Sequence, residues 1–198
     1  MSALSELCRR MADCRRCGLA AHRTKVVPGE GAEDAQIVFI GEAPGRHEDQ
    51  QGRPFVGAAG QFLEGLIASI GLTRQEVYIC NVIKCRPSEN RDPLPTEIQA
   101  CQPWLDEQLE LLRPKVIVTL GRYSMANFFP GEAISKIHGK DRRRDGIIYY
   151  PMYHPAAALH QQKLRETIQQ DMLKIPSLLA GAHTISQPEQ RPQQLSMF

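Results

Sequence analysis

Short apolar runs alternate with amphipathic stretches from residue 36 to residue 180. The first run, Ile37, Val38, Phe39 and Ile40, is β-branched and aromatic, ends at Gly41, and reads as a buried parallel strand. Residues 77–82, 115–120 and 147–150 repeat that pattern and predict three more strands. Between the strands the period lengthens. Phe62, Leu63, Leu66, Ile67 and Ile70 fall on one helical face, with Gly71 as the stop. Thr96 is placed to cap a second helix, whose apolar face is Ile98, Cys101, Leu105, Leu109 and Leu112; Pro114 ends it. Gly121 turns into a third helix reaching about residue 129, and a last helix is expected over 163–180. Residues 1–35 are charged and turn-rich, with no strong strand. Residues 41–57 and 84–95 read as loops rich in Gly, Pro and charge, and 136–146 as a basic loop.

Strands alternating with helices predict an α/β fold: a single domain with a central four-stranded, mainly parallel sheet flanked by helices on both sides. In such sheets the loops leaving the strand C-termini build the site. Here they start at Gly41, near Ile83, at Gly121 and at Pro151. The domain is expected over 1–180, followed by a flexible tail over 181–198.

Composition changes this picture at one point. The chain has 198 residues, a net charge of +2 and 42% hydrophobic residues, as ordinary globular domains do. No run of about 18 apolar residues offers a membrane span, and residues 1–17 lack the apolar stretch of a secretory leader, so a cytoplasmic protein is expected. Six cysteines are then unusual, because a reducing compartment favours metal binding or catalysis over disulfides. Cys14 and Cys17 form a C-x-x-C, and Cys85 lies between two cations, Lys84 and Arg86, which favour a thiolate. With Cys101 they make four thiolates, enough for zinc or for an iron–sulfur cluster; spacing alone leaves both open. Read by itself, Cys101 also suits a core thiol on its helix face. Cys80 sits in a strand and reads as core, and Cys8 receives no role.

The loop after the first strand carries glycines, which let backbone approach a ligand, together with Glu42, Glu48 and Asp49 and an isolated aromatic, Phe55. It is neither a P-loop nor a dinucleotide fingerprint. Gly41-Glu42-Ala43-Pro44-Gly45, Glu48-Asp49 and Gly52-Arg53-Pro54-Phe55-Val56-Gly57 do resemble the first motif of type-4 uracil-DNA glycosylases, the iron–sulfur members of their superfamily. The other landmarks follow in order: the C-x-x-C, Asn81-Val82-Ile83-Lys84-Cys85-Arg86-Pro87, Asn90-Arg91, Cys101 and His154-Pro155-Ala156. The resemblance covers roughly residues 4–175.

That resemblance implies a monofunctional hydrolase that flips uracil out of DNA, cuts its N-glycosidic bond and leaves an abasic site for base-excision repair. It implies a [4Fe–4S] cluster on Cys14, Cys17, Cys85 and Cys101, with zinc the lesser choice. Phe55 would stack on uracil and Asn81 would read its edge, with Gly41, Ala43 and Asn90 completing the pocket. His154 would donate to uracil O2 as negative charge collects there. Glu42 and Glu48 remain to position water or stabilise the sugar cation. Ala43 stands where better-known relatives carry a water-activating Asp, and Glu48 is expected to substitute for it. No His occurs from Lys84 to Pro93, so turnover rather than covalent trapping is expected.

Lys136, Lys140, Arg142, Arg143 and Arg144 give residues 136–144 a local charge of +4 and mark a phosphate-binding stretch. Leu159 is a candidate wedge for the vacated duplex position, with Lys163 beside it. The chain ends Gln194-Leu195-Ser196-Met197-Phe198, similar to the pentapeptide that binds the bacterial sliding clamp, which implies a tethered peptide anchor. The expected partners are uracil-containing DNA and that clamp; the protein is expected to be a monomer at the bacterial nucleoid, with no membrane contact. Two other readings compete: a non-catalytic iron–sulfur damage sensor, and a glycosylase for a broader set of deaminated bases.

Overall fold

The computed structural model describes residues 2–184. In chain order its elements are α1 (Ala3–Ala12), β1 (Glu30–Gly31), β2 (Ile37–Gly41), α2 (Arg46–Gln51), α3 (Ala58–Ser69), β3 (Tyr78–Asn81), α4 (Pro95–Leu112), β4 (Val116–Leu120), α5 (Arg122–Ala126), α6 (Ile134–Ile137), β5 (Arg142–Arg144), β6 (Ile147–Met152), α7 (Gln162–Met172) and α8 (Ile175–Thr184). The strands form one sheet in the order β1-β3-β2-β4-β6-β5. The inner four run parallel, as expected, and each edge strand is antiparallel to its neighbour.

The sheet therefore has six strands rather than four. The two extra strands carry no apolar signal. β1 is two residues long, and β5 is three exposed arginines. Edge strands are joined by backbone hydrogen bonds on one side only, so their side chains need not be apolar.

β2 is buried at all five positions because both faces are covered. Ile37 and Phe39 point into one core with Leu63 and Leu66 of α3 and Ile168 and Met172 of α7. Val38 and Ile40 point into a second core with Leu7 of α1 and Leu105 of α4. Each fully buried apolar side chain of this kind contributes about 1.5–3 kcal/mol. Two-sided coverage thus follows from an uninterrupted apolar strand, as the sequence predicts.

Local chemistry sets the element ends, with some departures. Pro95 occupies the first turn of α4, and the Glu97 carboxylate accepts from Leu94 N at 2.8 Å. That reach-back, not Thr96, caps the helix. Arg113 closes α4 with φ 48°, just before Pro114. The loop expected over 41–57 contains α2, and the single helix expected at the C-terminus is two, α7 and α8. α1 is an amphipathic helix in the segment read as turn-rich, and it buries Leu4, Leu7 and Met11. No helix among the described residues is long and apolar enough to cross a membrane.

Candidate functional site

Four chain segments meet beyond the C-terminal ends of the parallel strands, around a cavity of about 350 Å³. Strand order reverses about β2, which has β3 on one side and β4 on the other. That is where an open parallel sheet leaves a crevice. Glu42, Ala43, Gly45 and Glu48 enter from the loop after β2, Asn81 from the end of β3, Asn90 from the loop beyond it, and His154 from the end of β6.

Gly41 and Asn81 are register partners across β2 and β3. A Cβ on Gly41 would stand only 2.4 Å from Asn81 Oδ1 and 2.6 Å from Phe55 Cζ. The missing side chain is what lets the amide and the ring converge. Asn81 is 2% exposed, yet its Oδ1 has no hydrogen-bond partner. A buried carbonyl oxygen left open in this way costs free energy until a ligand satisfies it. The Phe55 ring stacks toward His154, with centroids 5.6 Å apart and planes 26° apart.

Phe55 is held in left-handed backbone, φ 52°. Arg74 explains how. It is 6% exposed, donates to Phe55 O at 3.0 Å and to Pro54 O, and pairs with Glu30 at 3.3 Å. Nothing local in the sequence marks Arg74; only tertiary contact reveals it.

The two expected carboxylates differ in kind. Glu48 Oε1 accepts from Val56 N and Gly57 N, both at 2.9 Å, and Oε2 accepts from Gly45 N at 3.1 Å. It clasps both sides of the loop. Glu42 has its pKa pushed up to about 7, mainly by burial and then by repulsion from Asp92, with Arg122 pulling the other way. Arg122 pairs with Asp92 at 2.6 Å.

His154 accepts from Ala156 N at its Nδ1, 3.1 Å away, which puts the proton of the neutral ring on Nε2. Burial pushes its pKa down to about 4, against the pull of Glu48. The imidazole is therefore neutral at pH 7. Asn90 also borders the cavity, with φ 55°, and its side-chain oxygen accepts from Arg86 at 2.8 Å.

Beside this cavity, Cys14, Cys17, Cys85 and Cys101 line a second pocket. They come from the turn after α1, the loop after β3 and the face of α4. No three His, Cys, Asp or Glu side chains among the described residues are grouped so as to hold a metal ion. Three of them receive N–H donors: Cys14 from Trp104 Nε1 at 3.3 Å, Cys85 from Arg23 at 3.5 Å and Cys101 from Lys84 N at 3.3 Å. Burial pushes the Cys85 thiol up to about 11, opposed by Arg23. Cys80 is fully buried in β3, as expected, and Cys8 is half-buried against Tyr78.

A uracil DNA glycosylase superfamily model matches residues 28–174. The chain belongs to that superfamily. It is 48% identical over 187 residues to a type-4 uracil-DNA glycosylase of Archaeoglobus fulgidus, covering 90% of this chain and 94% of the relative. The type-4 enzyme of Sulfurisphaera tokodaii is 47% identical over 188 residues, 90% of this chain and 86% of its own. That of Thermotoga maritima is 42% identical over 175 residues, 86% and 91%. Within the superfamily fold, the cavity at the strand ends and the cysteine pocket are neighbours, joined through the loop after β3.

The basic residues spread out. Lys136 and Lys140 lie near the site end of β6, where Gly139 N bonds Pro151 O. Arg142 pairs with Glu132 and lies over Phe129. Arg143 and Arg144 continue along β5 to the far end of β6, where they border a different groove with Arg113 and Lys115. Five residues along a strand span roughly 17 Å, so Arg144 and the cavity at the strand ends are well separated. Leu159 is 41% exposed in the 3₁₀ turn Pro155–Leu159 directly after His154, and Lys163 follows in α7. Residues 194–198, the clamp-like peptide, lie outside the described residues.

Proposed function

We propose that the cavity takes a uracil flipped from DNA and that the protein hydrolyses its N-glycosidic bond. The observation that carries this reading is the open, buried Oδ1 of Asn81 beside the Phe55 ring. The amide offers an acceptor to uracil N3–H and a donor to O4. Cytosine presents the opposite pattern and would leave both buried groups unpaired, which disfavours it. Phe55 covers the face of the base.

As the bond breaks, uracil leaves as an anion and the sugar becomes cationic. His154, neutral and protonated on Nε2, donates to O2 where negative charge gathers. A preset neutral donor needs no proton transfer at that moment. The sugar cation and the attacking water fall to a carboxylate. Glu48 is occupied by three backbone amides, whereas the half-buried Glu42 carboxylate has no hydrogen-bond partner among the described residues. We assign water and cation contacts to Glu42, and assign to Glu48 the shape of the loop that holds Phe55.

The four cysteines suit a [4Fe–4S] cluster better than zinc. They form an all-thiolate set, and three of the four sulfurs already receive N–H donors. The N–H donors suit thiolate sulfur. Such a group, when bound, pins α1 and the loop after β3 against α4; it takes no part in the bond cleavage. Lys136, Lys140, Leu159 and Lys163 face DNA, and residues 194–198 bind the sliding clamp of a bacterial nucleoid, the protein acting as a monomer.

Alkali-sensitive cleavage of duplexes carrying a single U, hypoxanthine or T tests the main reading. Abasic product from U, and its loss in Asn81→Ala and His154→Ala, is expected; no product from U overturns it. Excision of hypoxanthine at the same rate would favour the broader specificity. Clamp capture unaffected by deletion of residues 194–198 would remove that assignment.

A further inference from the structure

Lys84 is 1% exposed, among the largest fully buried side chains of the molecule. Its ammonium donates to Asn81 O at 2.8 Å and to Gln108 Oε1 at 2.6 Å. It forms no ion pair with a carboxylate among the described residues. A buried lysine held only by neutral groups, two oxygens and the Cys80 thiol, is costly, and ordinary core packing would put a methionine or leucine there. Such a cost calls for a role.

The other end of the residue points to that role. Lys84 N donates to Cys101 Sγ at 3.3 Å. Gln108, fully buried on the same α4 face as Cys101 and Trp104, anchors the ammonium and also donates to Pro28 O at 2.9 Å and Tyr78 OH at 3.0 Å. One side chain thus spans from the sulfur-bearing helix to the peptide of the residue whose amide is left open in the cavity. Asn81 is the last residue of β3; backbone pairing on the β2 side continues past it, with Val82 N donating to Gly41 O at 3.0 Å and Ile83 N to Glu42 O at 3.1 Å, while its own carbonyl is held by the Lys84 ammonium. Its amide oxygen stands within a methyl's reach of Gly41, so a small rotation of the peptide would close the slot.

We propose that Lys84 is a positioning residue: its backbone amide holds the Cys101 sulfur while its ammonium holds the Asn81 carbonyl, so the cysteine pocket sets the aim of the base-reading amide. This rests on the reading of Asn81 given above. It assigns the sulfur pocket a function beyond tethering the N-terminal segment. Lys84 would carry the position of the Cys101-bearing helix to the base-reading amide, without itself touching the base.

The test is Lys84→Met in the full-length, iron-loaded protein, alone and combined with Asn81→Ala. The thioether keeps most of the volume and removes the donor. Three results are expected. Iron content and visible absorbance stay at the wild-type level. Amide hydrogen exchange over residues 78–83 speeds up. The value of kcat/KM on a uracil duplex falls by about tenfold in the wild-type background but by less than about twofold in the Asn81→Ala background, because residues acting as one unit are not additive. Equal losses in both backgrounds, or unchanged exchange over 78–83, overturn the proposal. Should Lys84→Met fail to accumulate, Lys84→Gln, which keeps an N–H donor, is read the same way with smaller effects. If Asn81→Ala alone keeps full activity, the base-reading role of Asn81 falls instead, and the exchange experiment still decides the tether.

Discussion

Gly41 and Asn81 face each other across adjacent parallel strands so closely that one methyl on Gly41 would stand 2.4 Å from the Asn81 side-chain oxygen. Gly41→Ala should therefore push the amide and the Phe55 ring apart with little effect on the strand itself. A displacement of this size costs about 10²-fold in kcat/KM. Steady-state kinetics on a uracil duplex, with the melting temperature as control, checks it. Wild-type kinetics would mean that the site does not depend on this approach.

Glu48 and Glu42 should separate under the same substitution. Glu48→Gln keeps an acceptor for Val56 and Gly57 but loses the carboxylate that also receives Gly45 N–H. It should destabilise the fold by about 1–3 kcal/mol, read by denaturant unfolding, without changing the shape of the pH–rate profile. Glu42→Gln should do the reverse, keeping stability near neutral pH and removing one limb of the profile.

The pH dependence follows from two opposite shifts. Glu42 titrates at about 7 when folded against 4.5 when free, so between those values only the folded chain holds the proton. Its contribution to stability is complete below 4.5 and is lost as pH rises through about 7, while the working carboxylate forms over the same range. kcat/KM should thus rise with pH to a plateau above about 7. His154 is shifted the other way, to about 4 from 6.5. Its contribution to stability is present above 6.5 and is lost as pH falls through about 4. A rate profile without an apparent pKa near 7 would exclude Glu42 as the working group.

Arg74→Met would leave the carbonyls of Pro54 and Phe55 without their buried donor. A loss of about 1–3 kcal/mol in stability is expected, together with a raised KM, because Phe55 would leave its left-handed conformation. Arg74→Lys should not rescue it, since one ammonium cannot reproduce the fork.

Trp104 is the only tryptophan in the chain, and its indole N–H lies 3.3 Å from Cys14 Sγ. Arg16 lies over its ring at 4.1 Å. An iron–sulfur cluster absorbing near the indole emission band would quench it. Oxidation followed by chelation should therefore raise tryptophan emission several-fold while bleaching the visible band. Constant emission through iron loss would argue that no cluster sits on these cysteines.

The parallel core was legible in the sequence because both faces of β2 and β4 are covered, which forces unbroken apolar runs. Asn81, Phe55 and His154 were legible only through motif order; each alone passes for ordinary structure. What stayed hidden depends on contacts between distant segments. Arg74 and Glu30, or Lys84 and Gln108, lie 44 and 24 residues apart, and no local pattern announces either pair. Sequence shows the charge of the β5 arginines without its direction; the strand runs from Arg142 toward Arg144 away from the cavity.

The sulfur pocket draws its cysteines from segments far apart in the chain. Cys14 and Cys17 come first in the chain, Cys85 follows β3, and Cys101 comes last, in the second turn of α4. A chain cut short before α4 therefore lacks one wall of the pocket and the Gln108 that anchors Lys84, however intact its first three cysteines are.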